Sequence, residues 1–238
     1  MAVKNRIWEL DALRGLCILC MVVIHAIYDM VELYALIDWE YPQLYIFVQR
    51  WGGVIFLLIS GICVTLGKHP VRRGLLVLGC GLVVSLVTAS MYWLQFAGRS
   101  MIIYFGVLHC LGFCMILWYP LRKANVWLLG ILGAGLAALG LWIMTFGPVG
   151  TSLLIPFGFM PAGFATSDYF PLLPHFGFFL LGAVLGKTLY HRRESLMPRF
   201  GENPVSRFFC RCGKWSLWIY LLHQPILSGI FYLVLLMK

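Results

Sequence analysis

A chain of 238 residues that is 61% hydrophobic, 16% aromatic and only 11% charged lacks the polar surface of a water-soluble globule, where about 25% charge is usual. Its net charge of +9 does not point to nucleic acid, because the basic residues cluster in short segments between apolar runs, as cytoplasmic loops do. The expected class is all-α: a polytopic membrane helical bundle of about seven transmembrane helices, one domain over residues 1–238.

Spans of the roughly 20 residues needed to cross a bilayer are predicted over 11–33, 45–66, 74–96, 101–120, 125–146, 171–190 and 214–236. The first interrupts its apolar run with Asp11 and Arg14 and is followed by no small-residue cleavage site, so it is expected to be a span rather than a cleaved signal. Lys and Arg set the orientation. Lys4, Arg6, Lys68, Arg72, Arg73, Arg122, Lys123, Lys187, Arg192, Arg193, Arg199, Arg207, Arg211 and Lys214 fall on one side, against Arg50, Arg99 and Lys238 on the other. The N-terminus is therefore expected in the cytoplasm and the C-terminus outside. A multi-pass protein of a bacterial inner membrane is expected, with membrane lipid around it and a homo-oligomer possible.

The first span, "ELDALRGLCILCMVVIHAIYD", carries four ionisable groups. Arg14 and His25 are eleven residues apart, which at 3.6 residues per turn places them on one helix face, offset by about 20° and separated by about 16 Å along the axis. Asp11 lies three residues before Arg14 and Asp29 four after His25, spacings that also make neighbours. Each has a bland reading: Asp11 as an N-cap, Arg14 as a snorkelling anchor, Asp29 as the helix end, His25 as a helix–helix hydrogen bonder. Together they read as a polar stripe beside a channel or cleft, because a polar group in lipid needs a partner or a water-filled cavity.

Further along the chain, Arg50 opens the second span, and His109 in "YFGVLHCLG" is expected at a depth matching His25. "GILGAGLAALG" in the fifth span reads as a close-packing face. The long outer segment "FGPVGTSLLIPFGFMPAGFATSDYF" reads equally as a lid or re-entrant piece and as an interfacial loop. Asp168 and His175 follow it closely, and His223 and Gln224 precede Pro225 in the cytoplasmic half of the last span. "GAVLGKT" has three residues between its glycines where a phosphate loop has four, and is set aside. Six of the eight cysteines lie in apolar runs as small hydrophobes, and Cys210 and Cys212 are expected as reduced thiols in a basic loop.

"ELDALRG" followed by His25, then "FLLISG", "YFGVLHCLG", "PLLPHFGFFLLG" and "LWIYLLHQP", resemble the membrane acyltransferases related to heparan-alpha-glucosaminide N-acetyltransferase. The resemblance runs in order along nearly the whole chain. The Arg14–His25 spacing also resembles the acyltransferase-three family, a distant cousin. The resemblance implies an integral-membrane enzyme that takes an acyl group, usually acetyl, from acetyl-CoA at the cytoplasmic face. It implies delivery to an amine or hydroxyl on the far side, typically of a sugar or glycoconjugate, with no metal and no nucleic acid involved. It makes His25 the candidate base and Arg14 a structural or donor-side residue. The chain is much shorter than the animal lysosomal enzyme, so its acceptor does not follow from that relative. His175 stands where many relatives carry an aromatic.

For this chemistry the candidate catalytic residues are His25, Asp29 and His109. Imidazole serves as a base near neutral pH, Asp29 would orient it, and His109 with Arg50 would position the acceptor or its oxyanion. Arg14, Asp11, Arg50, Asp168, His175 and His223 are the candidate substrate-binding residues. Lys68, Arg72 and Arg73, with Arg122 and Lys123 nearby in topology, are candidates for the coenzyme A phosphates. Direct attack on the thioester and transfer through an acylated His25 both remain open. Two rival readings are a transporter or flippase, which the absence of an inverted repeat disfavours, and a b-type haem or quinone protein ligated by His25 and His109.

Overall fold

A computed structural model of the chain describes residues 7–201 and 203–237. Lys4, Arg6 and Lys238, which contribute to the charge asymmetry, lie outside the described residues. Among the described residues the structure is all-helical, with α1 Trp8–Tyr28, α2 Gln43–Leu66, α3 Pro70–Trp93, α4 Val107–Leu121, α5 Val126–Ile143, α6 Leu172–Leu189, α7 Pro204–Lys214 and α8 Ser216–Leu236. A π-helical turn, Asp29–Leu33, continues α1.

Among the described residues, six helices are long and apolar enough to cross a membrane: Trp8–Leu33, Gln43–Leu66, Pro70–Trp93, Val126–Ile143, Leu172–Leu189 and Ser216–Leu236. The fourth predicted span is shorter than expected. Residues 101–106 are non-helical apart from the end of a 3₁₀ turn, and α4 has 15 residues, about 22 Å of helix against a hydrocarbon core of roughly 30 Å. The sequence reading missed α7 altogether. Its eleven residues, PVSRFFCRCGK, are too charged and too few to register as a span, yet they alternate faces as an amphipathic helix does. Asn203 caps it, its side chain accepting from Val205 and Ser206 N–H.

The chain divides into two compact units: one runs up to Phe56 and resumes at Arg192, and the other is Leu57–His191. In the first unit α1 packs along α7 and then α8. A Cβ on Gly15 would overlap the Phe209 carbonyl, and one on Gly213 the Asp11 carbonyl. The two backbones therefore meet directly, as membrane helices do where side chains are small.

In the second unit α5 packs on α6 and α3 on α4. The predicted small-residue face of α5 divides in two: Gly133 and Gly140 meet Gly177 and Pro174 of α6, whereas Gly130 and Gly135 face open space. Gly61 of α2 meets the Phe179 carbonyl of α6. The long segment 146–170 is stitched to the loop before α4. Thr166 Oγ1 donates to Ile102 O at 2.7 Å, Ser167 Oγ to Met101 O at 3.2 Å, and Phe170 N–H to Phe105 O at 3.0 Å. Tyr169 donates its hydroxyl to Ile155 O at 2.8 Å, and burial pushes this phenol up to about 12. All eight cysteines are free thiols, with Cys110 and Cys114 fully buried.

Candidate active site

In the first unit the predicted stripe on α1 forms a polar seam with α7 and α8. Its partners lie on those helices. Asp11 is not the N-cap expected of it: Ile7 occupies that position, with no side-chain cap. Asp11 is instead 7% exposed, with Oδ1 3.7 Å from Arg14 Nη1. Arg14 Nη2 donates to Ser216 Oγ at 3.1 Å, so the guanidinium bridges the middle of α1 to the start of α8. Glu9, which sequence reasoning missed, is buried. It accepts from Ser195 Oγ at 2.8 Å and Leu196 N–H at 2.7 Å, clasping the loop ahead of α7.

His25 and His223 meet edge to face, with ring centroids 5.0 Å apart and planes at 78°. The sequence reading placed these two in opposite halves of the membrane. The missed helix accounts for the difference, because α7 lies against the first turns of α1 and α8 begins only further along it. Each ring is tied to its own helix. His25 Nδ1 lies 2.9 Å from Met21 O, and His223 Nδ1 bonds Tyr220 O. A carbonyl only accepts, so each Nδ1 carries the hydrogen, and each neutral ring keeps a bare lone pair on Nε2. His223 Nε2 is buried and has no partner among the described residues.

One turn beyond His25, the π-helical turn begins at Asp29, which is 1% exposed. Gln224 Nε2 donates to both carboxylate oxygens, at 2.9 Å and 3.2 Å. The side-chain oxygen of Gln224 is buried and has no partner among the described residues. The reverse amide orientation would set that oxygen against a carboxylate, so the observed one is chemically required. Asp29 therefore does not orient His25 as expected: the imidazole hydrogen goes to Met21 O and the carboxylate goes to Gln224. Beyond it, Tyr34 donates to Ser228 O at 3.2 Å, continuing the seam.

The remaining histidines lie in the second unit. Gly106 N–H donates to His109 Nδ1 at 3.3 Å, so Nε2 carries the hydrogen and donates to Ser85 Oγ, also at 3.3 Å. Ser85 passes its own hydrogen to Ile103 O at 2.6 Å. The two nitrogens of His109, which is 4% exposed, are thus committed, Nδ1 to the loop before α4 and Nε2 to Ser85 of α3. In this conformation neither nitrogen presents an unshared lone pair of the kind a general base or a haem ligand uses. Asp168 Oδ2 accepts from Val107 N–H at 3.0 Å, a carboxylate at a helix N-terminus. His175 is buried, its Nδ1 donating to Pro171 O at 2.7 Å, with its ring 5.0 Å from that of Phe170.

Arg50 is exposed in the first unit, and Lys68, Arg72 and Arg73 are exposed around the α2–α3 turn of the second. Two surface grooves of the second unit, of about 670 and 540 Å³, are lined by residues 92–98 and by the α5–α6 face around Trp127 and Ile131. Neither is lined by a candidate catalytic, substrate-binding or phosphate-binding residue.

A family model described as "Heparan-alpha-glucosaminide N-acetyltransferase, catalytic" matches residues 6–225, which include α1 and the stretch of α8 bearing His223 and Gln224. The chain belongs to this family. No curated protein and no solved structure gives a significant match. It is accordingly a multi-pass integral membrane protein of an acetyltransferase family. Within this family member, His25 and Arg14 were legible from sequence. Ser216 and Gln224 emerge as their neighbours only once α8 is laid against α1.

Proposed function

We propose that this protein transfers an acyl group, expected to be acetyl, from acetyl-CoA to an amine or hydroxyl of a sugar or glycoconjugate, with His25 as the general base. The observation that carries the reading is the locked tautomer of His25. Its Nδ1–H is held by Met21 O, so the lone pair of Nε2 is free to accept the acceptor's proton without a prior tautomer change. The neighbouring Asp29–Gln224 pair secures α8 against the same part of α1.

Direct attack on the thioester needs only this one base. The acceptor's proton passes to Nε2, the new bond forms at the acyl carbon, and the thiolate of coenzyme A leaves. Lys68, Arg72 and Arg73 are the proposed phosphate ligands, because they are exposed cations clustered at one turn. We further propose a cytoplasmic N-terminus and an external C-terminus, on the strength of the Lys and Arg asymmetry, and residence in a bacterial inner membrane.

The test is acetyl transfer by purified protein in lipid, with acetyl-CoA as donor and glucosamine as probe acceptor. His25→Ala should abolish coenzyme A release while the protein remains folded. Turnover retained by that variant rejects His25 as the base.

A further inference from the structure

The acyl-transfer reading uses one imidazole, but the seam holds two. His223 carries a buried Nε2 with no partner among the described residues, an arrangement that costs free energy in any interior and more in lipid. If that ring served only to fill space, a phenylalanine would do so without an orphaned acceptor. Its nearest aromatic neighbours are Tyr220, at 5.6 Å on its own helix, and His25, at 5.0 Å on α1. Two imidazoles joined by an N–H···N hydrogen bond of about 2.8–3.0 Å have ring centres roughly 5 Å apart. The centroid spacing of His25 and His223 is within reach of such a shared hydrogen, which two neutral rings that both present bare Nε2 atoms cannot form.

We infer that His223 is a positioning residue for the reaction: it accepts, at Nε2, a hydrogen bond from the proton that His25 removes from the acyl acceptor. The inference rests on the acyl-transfer reading for the source of that proton. As the acceptor's N–H or O–H bond breaks, its hydrogen moves to His25 Nε2 and its electron pair forms the bond to the acyl carbon. The carbon–sulfur bond breaks with its electron pair on sulfur. The resulting imidazolium shares its new hydrogen with His223 Nε2, the orphaned acceptor beside it, and then returns it to the coenzyme A thiolate as the free thiol.

Both ends of the device are held. Met21 O and Tyr220 O anchor the outer nitrogens, and the Gln224–Asp29 bonds fix the next residue of α8 to α1. The other titratable groups near the pair are Asp29 on α1, Tyr220 on α8, and Tyr45 from α2, whose hydroxyl lies 3.5 Å from Ile24 O. The cations of α7, namely Arg207, Arg211 and Lys214, are exposed alongside the first turns of α1.

The experiment uses the full chain, labelled with ¹⁵N-histidine, in lipid nanodiscs. As pH is lowered, the wild type should develop a strongly downfield proton coupled to two imidazole nitrogens, and His223→Phe and His25→Ala should lack it. In the glucosamine assay, His223→Phe should reduce kcat about 10–100-fold, as expected for losing a hydrogen bond to a charged group, with KM for acetyl-CoA unchanged. His223→Gln, whose amide oxygen accepts a hydrogen bond, should recover part of that loss, which simple repacking would not produce.

Absence of the two-nitrogen proton in folded wild type, or wild-type turnover by His223→Phe, overturns the inference. If His25→Ala is inactive in that case, the acyl-transfer reading survives. If the shared proton is present but wild type releases no coenzyme A, the pair stands and the acyl-transfer reading falls.

Discussion

Replacing Gln224 with leucine removes the only hydrogen-bond donor that the described residues offer to a carboxyl group 1% exposed to its surroundings. Leucine is of similar bulk, and Gln224 Oε1 has no partner to lose, so the change isolates the two contacts to Asp29. Hydrogen bonds to charged groups contribute about 1.5–3 kcal/mol, and an orphaned buried acceptor forfeits at least that much. For a chain of this size the loss corresponds to a fall of about 3–12 °C in melting midpoint. A thiol-reactive fluorophore in detergent reports it directly, because Cys110 and Cys114 are 0% exposed until the fold opens. The double variant Asp29→Leu with Gln224→Leu should recover most of the loss, since removing both partners leaves nothing unsatisfied. An unchanged midpoint in Gln224→Leu, or a double variant as unstable as the two single changes summed, refutes the coupling of α1 to α8 through this pair.

Gly15→Leu should destabilise the protein by about 1–3 kcal/mol through overpacking, because its Cβ would meet the Phe209 carbonyl. Gly135→Leu, which points into open space, should leave the same melting curve in place, and equal effects at both sites would contradict the α1–α7 seam. Glu9→Ala frees Ser195 Oγ and Leu196 N–H and should accelerate tryptic cleavage after Arg192 or Arg193; a wild-type cleavage rate speaks against the clasp. In a cysteine-free background, an impermeant maleimide applied outside should label Gly150→Cys at once and Lys68→Cys only after permeabilisation. The reverse pattern inverts the proposed orientation.

Composition was sufficient to specify a helical membrane protein, because a chain this apolar must satisfy its backbone within each spanning segment. Arg14 and His25 were legible for a related reason: ionisable groups are costly in lipid, and eleven residues of helix return to nearly the same face. The α5 glycine seam followed from the need of membrane helices for small residues where they touch. The helix α7 was not legible as a span, since its eleven residues include Arg207, Arg211 and Lys214 and read as a charged loop. Missing it shifted the register of the last helix along the first, and so separated His223 from His25 in the sequence reading.

Sequence alone indicated six of the seven predicted spans as helices long enough to cross a membrane, and which helix carries the ionisable stripe. Tertiary structure alone decided what that stripe meets: Ser216 for Arg14, His223 for His25, Gln224 for Asp29. It also revealed that His109, another histidine in an apolar run, spends one nitrogen on the loop before α4 and the other on Ser85 of α3. The reason is that a helix in lipid is apolar on nearly every side, so its periodicity carries little information about its neighbours. Partner choice is written instead in close backbone approach and in the pairing of a few buried polar atoms, both of which exist only after the helices have packed.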